Sequence, residues 1–533
     1  MDSRDLPAQQ LPHTSRLIRD YLSNFSSLAS FYEHKPDFKS IAKYARSVNF
    51  PAERRRQVAD VLRAQNALFG SSREAEKNID RLAAGAVAVV SGQQVGLFGG
   101  PAYSFYKALS AIQAAESLTD DGIDAVPVFW MATEDHDVDE VRRVAWFNEG
   151  ELLQFELPQP EQDAIPVGRV RLGPEVDELV GRAQPLVGET FGAYLHETYV
   201  PVATYGGAFA GLFARIFADF GLILLDPLDD RLHQIVGPIL REALACRDEL
   251  NDELLRRGKA LEQAGYEPQV KVTSRSTLLF SLTSGKREVI TASNGTFASG
   301  ATSLPREEWI ELVEAEPENF SPNAILRPVM QDYLLPTVVY FGGPSEIAYF
   351  AQSHVLYEKL LQRMPVLLPR ADFTLVDPKA ERLLKKYHLD VEEVWGGSEN
   401  LRKRMYNSMV PKKLASEFDD HLQHIDKRLK KLHKAIVKVD PTIQGTIARA
   451  EKRIRYQIEK LRHKTGAALD RHEKQIEAHQ KFLENLLYPQ KGLQSRDLCF
   501  LPFLARWGTG GLYDLQKLAG PKKLGRHIIV PIP

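Results

Sequence analysis

Cysteine is nearly absent. Cys246 and Cys499 are the only two in 533 residues, far apart and without the spacing of a metal-ligand pair. That scarcity excludes a disulfide framework and a cysteine-based zinc site, and it fits a reducing, cytoplasmic location. Long apolar runs are missing too. None reaches the roughly 18 residues needed to span a bilayer, and the polar stretch Met1 to Gln10 holds no signal-peptide core, so no membrane partner is expected. Neither charge is in excess: 68 Lys and Arg against 70 Asp and Glu leave a net charge of −2. Bulk electrostatics therefore argue against a nucleic-acid partner. With 26% charged and 44% hydrophobic residues, the composition is that of a globular protein, on a chain too long for one ordinary core.

The stretch from Ala86 to Glu140 organises the rest. An apolar run, Val87 to Val90, leads into a glycine-rich loop, Ser91 to Pro101. Phe105, Leu109 and Ile112 then step at helical spacing, and a second apolar run, Val126 to Met131, ends in Glu134-Asp135-His136-Asp137. Strand, turn, helix, strand is a βαβ unit. Ligands of open parallel sheets bind just outside the carboxyl ends of strands, where both polar clusters fall. Leu222 to Leu225, Thr337 to Phe341 and Val366 to Leu368 supply three further buried strands, so the fold class is α/β with a parallel sheet.

Around this core, helices are expected over Ser15–Ser30, Phe38–Ser47, Ala52–Phe69 and, as one long element, Asp229–Ala264. Prolines break residues 145–200 into an irregular insertion. Short apolar pieces between Ser-Gly and Asn-Gly signals, beginning with Val270–Val272, make residues 268–303 an antiparallel second insertion. The domain reading is a core with N-terminal helices over 1–410, an antiparallel coiled-coil arm over 411–487, and a segment over 488–533 that returns to the core through Phe500, Phe503 and Trp507. In the arm, Leu414, Phe418, Leu422, Ile425, Leu429, Leu432 and Ile436 step by four and three, and the stepping resumes at Ile443 after Asp440-Pro441. Its second helix, about 45 residues to Leu487, would reach roughly 65 Å. From Lys412 to Leu487 there are 18 Lys and Arg against 11 Asp and Glu, a solvated basic face or an anion site. Its apolar stripe predicts a homodimer.

Gly-Gly-Pro occurs twice between a strand and a helix, at Gly99-Gly100-Pro101 and Gly342-Gly343-Pro344. Glycine lets a ligand approach the backbone, and proline suits the first helical turn; two tight turns with no ligand are the alternative. The loop Gln93-Gln94-Val95-Gly96-Leu97-Phe98-Gly99-Gly100 is neither a Walker A loop nor the dinucleotide fingerprint. It sits where both bind phosphate, with free backbone N–H groups at a helix start. Lys107 either adds a positive charge there or is an exposed helix lysine. Asp135, His136 and Asp137 surround an imidazole with carboxylates, which favours imidazolium and can orient a general acid or base. The same run could instead hold a divalent metal or merely cap the next helix. Ser345-Glu346 offers an amine-binding pair, or Ser345 only initiates a helix.

Gly92 to Lys107, Trp130 to Asp137, and Asn319 to Gln352 with its Gly-Gly-Pro-Ser-Glu-Ile-Ala-Tyr run carry a resemblance. They are similar to the bacillithiol biosynthesis cysteine-adding family of cysteine ligases, over essentially the whole chain. Leu493-Gln494-Ser495-Arg496 departs from that family's usual Leu-Gln-Glu-Arg. The resemblance implies a Rossmann-like core related to class I aminoacyl-tRNA synthetases and nucleotidyltransferases, with insertions and a dimerising coiled coil. It implies amide formation between cysteine and glucosaminyl malate, with ATP activating the cysteinyl carboxylate and no metal in the protein site. The residues expected to act are His136, Asp135, Asp137 and Lys107 in catalysis. Gln93, Gln94, Gly96, Gly99, Gly100, Tyr103, Asn323, Arg327, Gly342, Gly343, Ser345 and Glu346 are expected to bind substrate or nucleotide. A nucleotide-binding scaffold that uses the coiled coil to assemble partners is the alternative in another functional class.

Overall fold

The computed structural model describes residues 3–293, 295–409, 412–469 and 473–533. It divides into two compact units. One comprises the chain up to Asn148 with Leu153–Thr374 and Ser495–Val530; the other comprises Glu149–Leu152, Leu375–Gln494 and Pro531–Pro533.

The first unit is built on a five-stranded sheet of β1 (Val87–Gln93), β2 (Ala125–Met131), β3 (Ile223–Leu225), β4 (Thr337–Gly342) and β5 (Val366–Pro369), in the order β5-β4-β1-β2-β3. Every pairing is parallel. The register sets Val87 beside Ala125 and Gln93 beside Met131, and Tyr340 beside Val90. These strands are buried along nearly their whole length, as their unbroken apolar runs require when both faces are covered. The order is that of a Rossmann-like sheet, and its connections reverse direction between β1 and β4, the position where open α/β sheets bind ligands. Helix α1 (Ala102–Asp120) follows β1, α2 (Arg327–Leu334) precedes β4, and α3 (Pro344–Leu356) follows it. Pro101 and Pro344 stand at the two helix starts, where a missing N–H costs nothing.

Several expectations are refined. The helix Arg73–Ala84 and the strand Arg4–Pro7, which pairs antiparallel with Arg526–Pro531, have no counterpart in the sequence reading. The long helix is two, Asp230–Ala245 and Arg247–Gln263, broken at Cys246. Residues 145–200 are better ordered than their prolines suggest, with strands Arg143–Asn148 and Glu151–Glu156 and helices Glu175–Ala183 and Gly188–Thr198. The second insertion is antiparallel as expected, but Val270–Val272 is not a strand. Its strands are Ser276–Ser281, Glu288–Ser293, Thr296–Ser299 and Thr302–Pro305, with Phe320–Pro322 at the far edge. Near the other end of the chain, Phe500 packs on Phe105 and Tyr106 with ring centroids 5.3 and 5.6 Å away.

The second unit begins earlier than the heptad pattern, with helices Pro378–Tyr387 and Ser398–Ser408 ahead of the arm. The arm is α4 (Lys412–Val439), a turn at Asp440-Pro441, α5 (Gln444–Leu469) and α6 (Glu473–Leu487). The Asp440 carboxylate accepts from the Thr442 N–H at 2.8 Å, so this residue and Pro441 end one helix and start the next. Whether the second arm runs unbroken to Leu487 depends on residues 470–472, outside those described. Ion pairs join α4 and α5, Arg455 with Asp426 and Arg462 with Asp419 at 2.7 Å, and His433 Nδ1 lies within hydrogen-bond distance, 3.1 Å, of Glu451.

Candidate active site

The site grows from the ends of β1, β2 and β4. Lys107 lies on α1, and the helix points it back under the loop that precedes it. It is not an exposed lysine; its side chain is 3% exposed. Its ammonium donates to the Gly92 carbonyl at 2.6 Å and to Gln93 Oε1 at 2.8 Å, and it ion-pairs with Glu346 on α3. An ammonium has three N–H bonds, and three acceptors surround this one. Glu346 in turn accepts from the Gly343 N–H at 2.7 Å and from the Tyr340 hydroxyl at 2.5 Å. The pair therefore staples the two Gly-Gly-Pro turns together where the sheet order reverses.

Burial pulls Lys107 below the ordinary ammonium range while Glu346 opposes it. Burial works to raise Glu346, but Lys107 and the Gly343 N–H hold it below the usual carboxylate range. Arg327 lies behind this pair. It donates to Tyr349 Oη at 3.0 Å and Gln331 Oε1 at 2.9 Å, with its guanidinium over the Tyr340 ring. Two cations thus stand around one carboxylate. Arg370, ion-paired to Asp372 at 2.6 Å, stacks over the Tyr103 ring. Around Glu346 the cations exceed the carboxylate by one, which favours an anionic ligand at that point, while Asp135 and Glu140 beside Gln94 make the neighbouring turn acidic.

The glycine loop differs from the expectation of free N–H groups. The Gly96 N–H donates to Gln94 O at 3.0 Å, Gly99 N–H to Gly96 O at 3.1 Å and to Tyr199 Oη at 3.2 Å, and Gly100 N–H to Leu97 O at 2.9 Å. Gly343 N–H is taken by Glu346. These amides are spent on the turns themselves, because the loop is buried among Phe98, Phe105 and Tyr199. Gly99 has φ +87, and a Cβ on it would lie 2.6 Å from the Phe105 ring. Gly343 has φ −78, with room to 3.4 Å. Gly99→Ala is therefore expected to cost about 1–3 kcal/mol from overpacking and left-handed strain, and Gly343→Ala well under that. Thermal melts of the two variants check the order.

Gln93 and Gln94 carry the loop's polarity toward β2. Gln93 Nε2 donates to Gln94 Oε1 at 2.5 Å and to Tyr103 Oη at 3.3 Å; Gln94 Nε2 donates to Asp135 Oδ2 at 3.1 Å and to Glu140. The acidic run after β2 divides. Glu134 turns inward, 3.3 Å from the buried His233, and belongs to the core. Asp135 and His136 are half-buried, and Asp137 is exposed. The Asp135 carboxylate accepts its neighbour's backbone N–H at 2.7 Å. Among the described residues, no group of three or more His, Cys, Asp or Glu is placed to hold a metal ion.

The imidazole itself departs from the expected imidazolium. Burial and the Arg287 guanidinium lower the His136 pKa, against the pull of Asp135 and Asp137. Arg287 comes from the turn between strands Ser276–Ser281 and Glu288–Ser293, and sequence reasoning missed it. It donates to His136 Nδ1 at 3.1 Å. A lone arginine after Ser-Gly-Lys carries no motif; only the fold brings it 151 positions back along the chain.

The remaining candidates are peripheral. Asn323 Oδ1 accepts the Ile325 and Leu326 N–H groups at 3.0 Å, starting the turn into α2, and Ser345 is exposed on the first turn of α3.

Comparison with known proteins agrees with this architecture. Residues 1–371 match the family model described as bacillithiol biosynthesis BshC, N-terminal Rossmann-like domain. Residues 373–532 match its C-terminal coiled-coil domain. A protein of Koribacter versatilis (strain Ellin345) is 41% identical over 517 residues, covering 97% of each chain. One of Solibacter usitatus (strain Ellin6076) is 37% identical over 518 residues, covering 95% of this chain and 96% of its own. One of Staphylococcus carnosus (strain TM300) is 29% identical over 503 residues, covering 91% and 92%. Each carries the provisional name cysteine ligase BshC.

Proposed function

This chain belongs to the BshC family of bacillithiol biosynthesis, a family of cysteine ligases, and on that premise we propose that it joins the cysteine carboxyl to the glucosamine amine of glucosaminyl malate. A carboxylate and an amine do not form an amide unaided, so ATP is the activator in this reading: a phosphoryl or adenylyl group on the carboxylate oxygen supplies the leaving group. The amine nitrogen then bonds to the carbonyl carbon, the C–O bond to the activated oxygen breaks, and the amine gives up a proton. The observation that carries the reading is the positive charge that Lys107 and Arg327 leave around Glu346 at the sheet's reversal point, joined through Gln93 and Gln94 to Asp135. With its own N–H bonds engaged, Lys107 acts through its field. The Gly96, Gly99, Gly100 and Gly343 amides are engaged in the turns and do not serve the anion in this reading. Asp135 and Asp137, on either side of His136, are the groups at hand for the amine proton.

Incubation of the purified chain with cysteine, glucosaminyl malate and ATP should yield the amide product, with ATP consumed in step. ATP binding without product would return the chain to the scaffold alternative.

The arm supports assembly as a homodimer. Leu432 is 55% exposed and Leu461 58%, so the isolated hairpin leaves its stripe only partly covered. Light scattering at micromolar concentration should report twice the chain mass, and a monomer would refute the assignment. No helix among the described residues is long and apolar enough to cross a membrane.

A further inference from the structure

Arg287 is placed with unusual redundancy for a residue in a hairpin turn. Its backbone N–H donates to Ala164 O at 2.7 Å, Nε donates to Ser321 Oγ at 3.1 Å, and Nη2 donates to Pro322 O at 2.8 Å. The guanidinium lies 3.9 Å from the centre of the Phe280 ring, and the side chain is 9% exposed. Two hydrogen bonds and a stacked ring hold the fork, a third holds its backbone, and the remaining nitrogen, Nη1, is aimed at His136 Nδ1 3.1 Å away.

The chemistry of the two groups decides the proton. A guanidinium has only donors and does not deprotonate in proteins. Nδ1 must therefore accept, so it carries no hydrogen, and the neutral ring keeps its proton on Nε2. Asp135 does not compete: its carboxylate is 3.8 Å from Nδ1, beyond hydrogen-bond range. The side chain is 38% exposed, so the ring keeps an open face.

We infer that Arg287 is a positioning residue which fixes His136 as the neutral Nε2–H tautomer, so that the imidazole offers a hydrogen-bond donor, not a base, to the bound ligand. This rests on the ligase reading only for what the donor would do: hold a carbonyl or phosphoryl oxygen as it gains negative charge. The proton of the attacking amine then goes to a carboxylate of the same turn, Asp135 or Asp137. Protonating His136 would place N–H against N–H and charge against like charge. Facing the ring are Asp135 and Asp137 from its own turn and Arg287 with Phe280 from the insertion; Glu134 and Asp135 act on Arg287 itself.

The test is nitrogen NMR of the full chain labelled at histidine, with His136→Asn locating the signal. The wild-type ring should show a bare Nδ1 and a protonated Nε2, and should titrate below the ordinary histidine value of about 6.5. Arg287→Met should move that midpoint upward, because only burial then opposes the two carboxylates, and Arg287→Lys, which keeps the charge but not the fork, should not restore the bare Nδ1. A proton on Nδ1 in the wild type overturns the inference, as does an unmoved midpoint in Arg287→Met. The wild-type measurement stands even where Arg287→Met does not fold. None of these readouts requires turnover, so the absence of amide product would sink the ligase reading while leaving the tautomer to be judged separately.

Discussion

Replacing Lys107 with methionine should destabilise the Rossmann-like unit by about 3–5 kcal/mol, the range for removing one partner of a buried ion pair. The loss comes less from the missing attraction than from what remains. Glu346 would be left buried with only Gly343 N–H and the Tyr340 hydroxyl, and the Gly92 carbonyl and Gln93 Oε1 would lose their donor. Substituting both Lys107 and Glu346 with methionine should recover part of the stability, since no unpaired charge then stays inside. Denaturant titration of the single and double variants measures both quantities. A Lys107→Met loss under about 1 kcal/mol, the scale of an exposed pair, would show that the two glycine turns do not depend on this contact.

The second large effect falls on turnover. His136→Asn should cut amide formation by about 10²–10³-fold, the range for losing one donor to a developing oxyanion, with the melting temperature nearly unchanged because the ring is half-exposed. His136→Gln should retain more activity, since its amide nitrogen reaches close to the position of Nε2–H. Equal loss in both variants would favour a proton-accepting histidine, and normal rates in both would leave His136 outside the chemistry.

The parallel sheet was legible because burial on both faces demands continuous apolar runs, and all five core strands announce themselves that way. The glycine turns were legible as turns but not as to purpose. Whether Gly99 N–H meets a phosphate or Tyr199 depends on a tyrosine 100 positions away, and no local pattern records that. Lys107 illustrates the same boundary. Helical spacing places it near the loop, yet its burial follows from Glu346 arriving on a different helix. Arg287 was beyond reach: the insertion was recognisable by its Ser-Gly and Asn-Gly breaks, but nothing in a hairpin turn says which strand end it will overhang. Long-range pairing, not propensity, built the site.

The first unit is discontinuous: its last piece, Ser495–Val530, follows the whole of Leu375–Gln494. Phe500 covers Phe105 and Tyr106 on α1, and Cys499 N–H donates to Ala145 O at 2.9 Å. Phe213 and Phe217 already cover part of Phe105, and Phe373 part of Tyr106, before the arm is made. At about 5–20 residues per second, the side that Phe500 covers waits until the entire arm has been synthesised. This aromatic contact of the first unit thus closes many seconds after its sheet has been made.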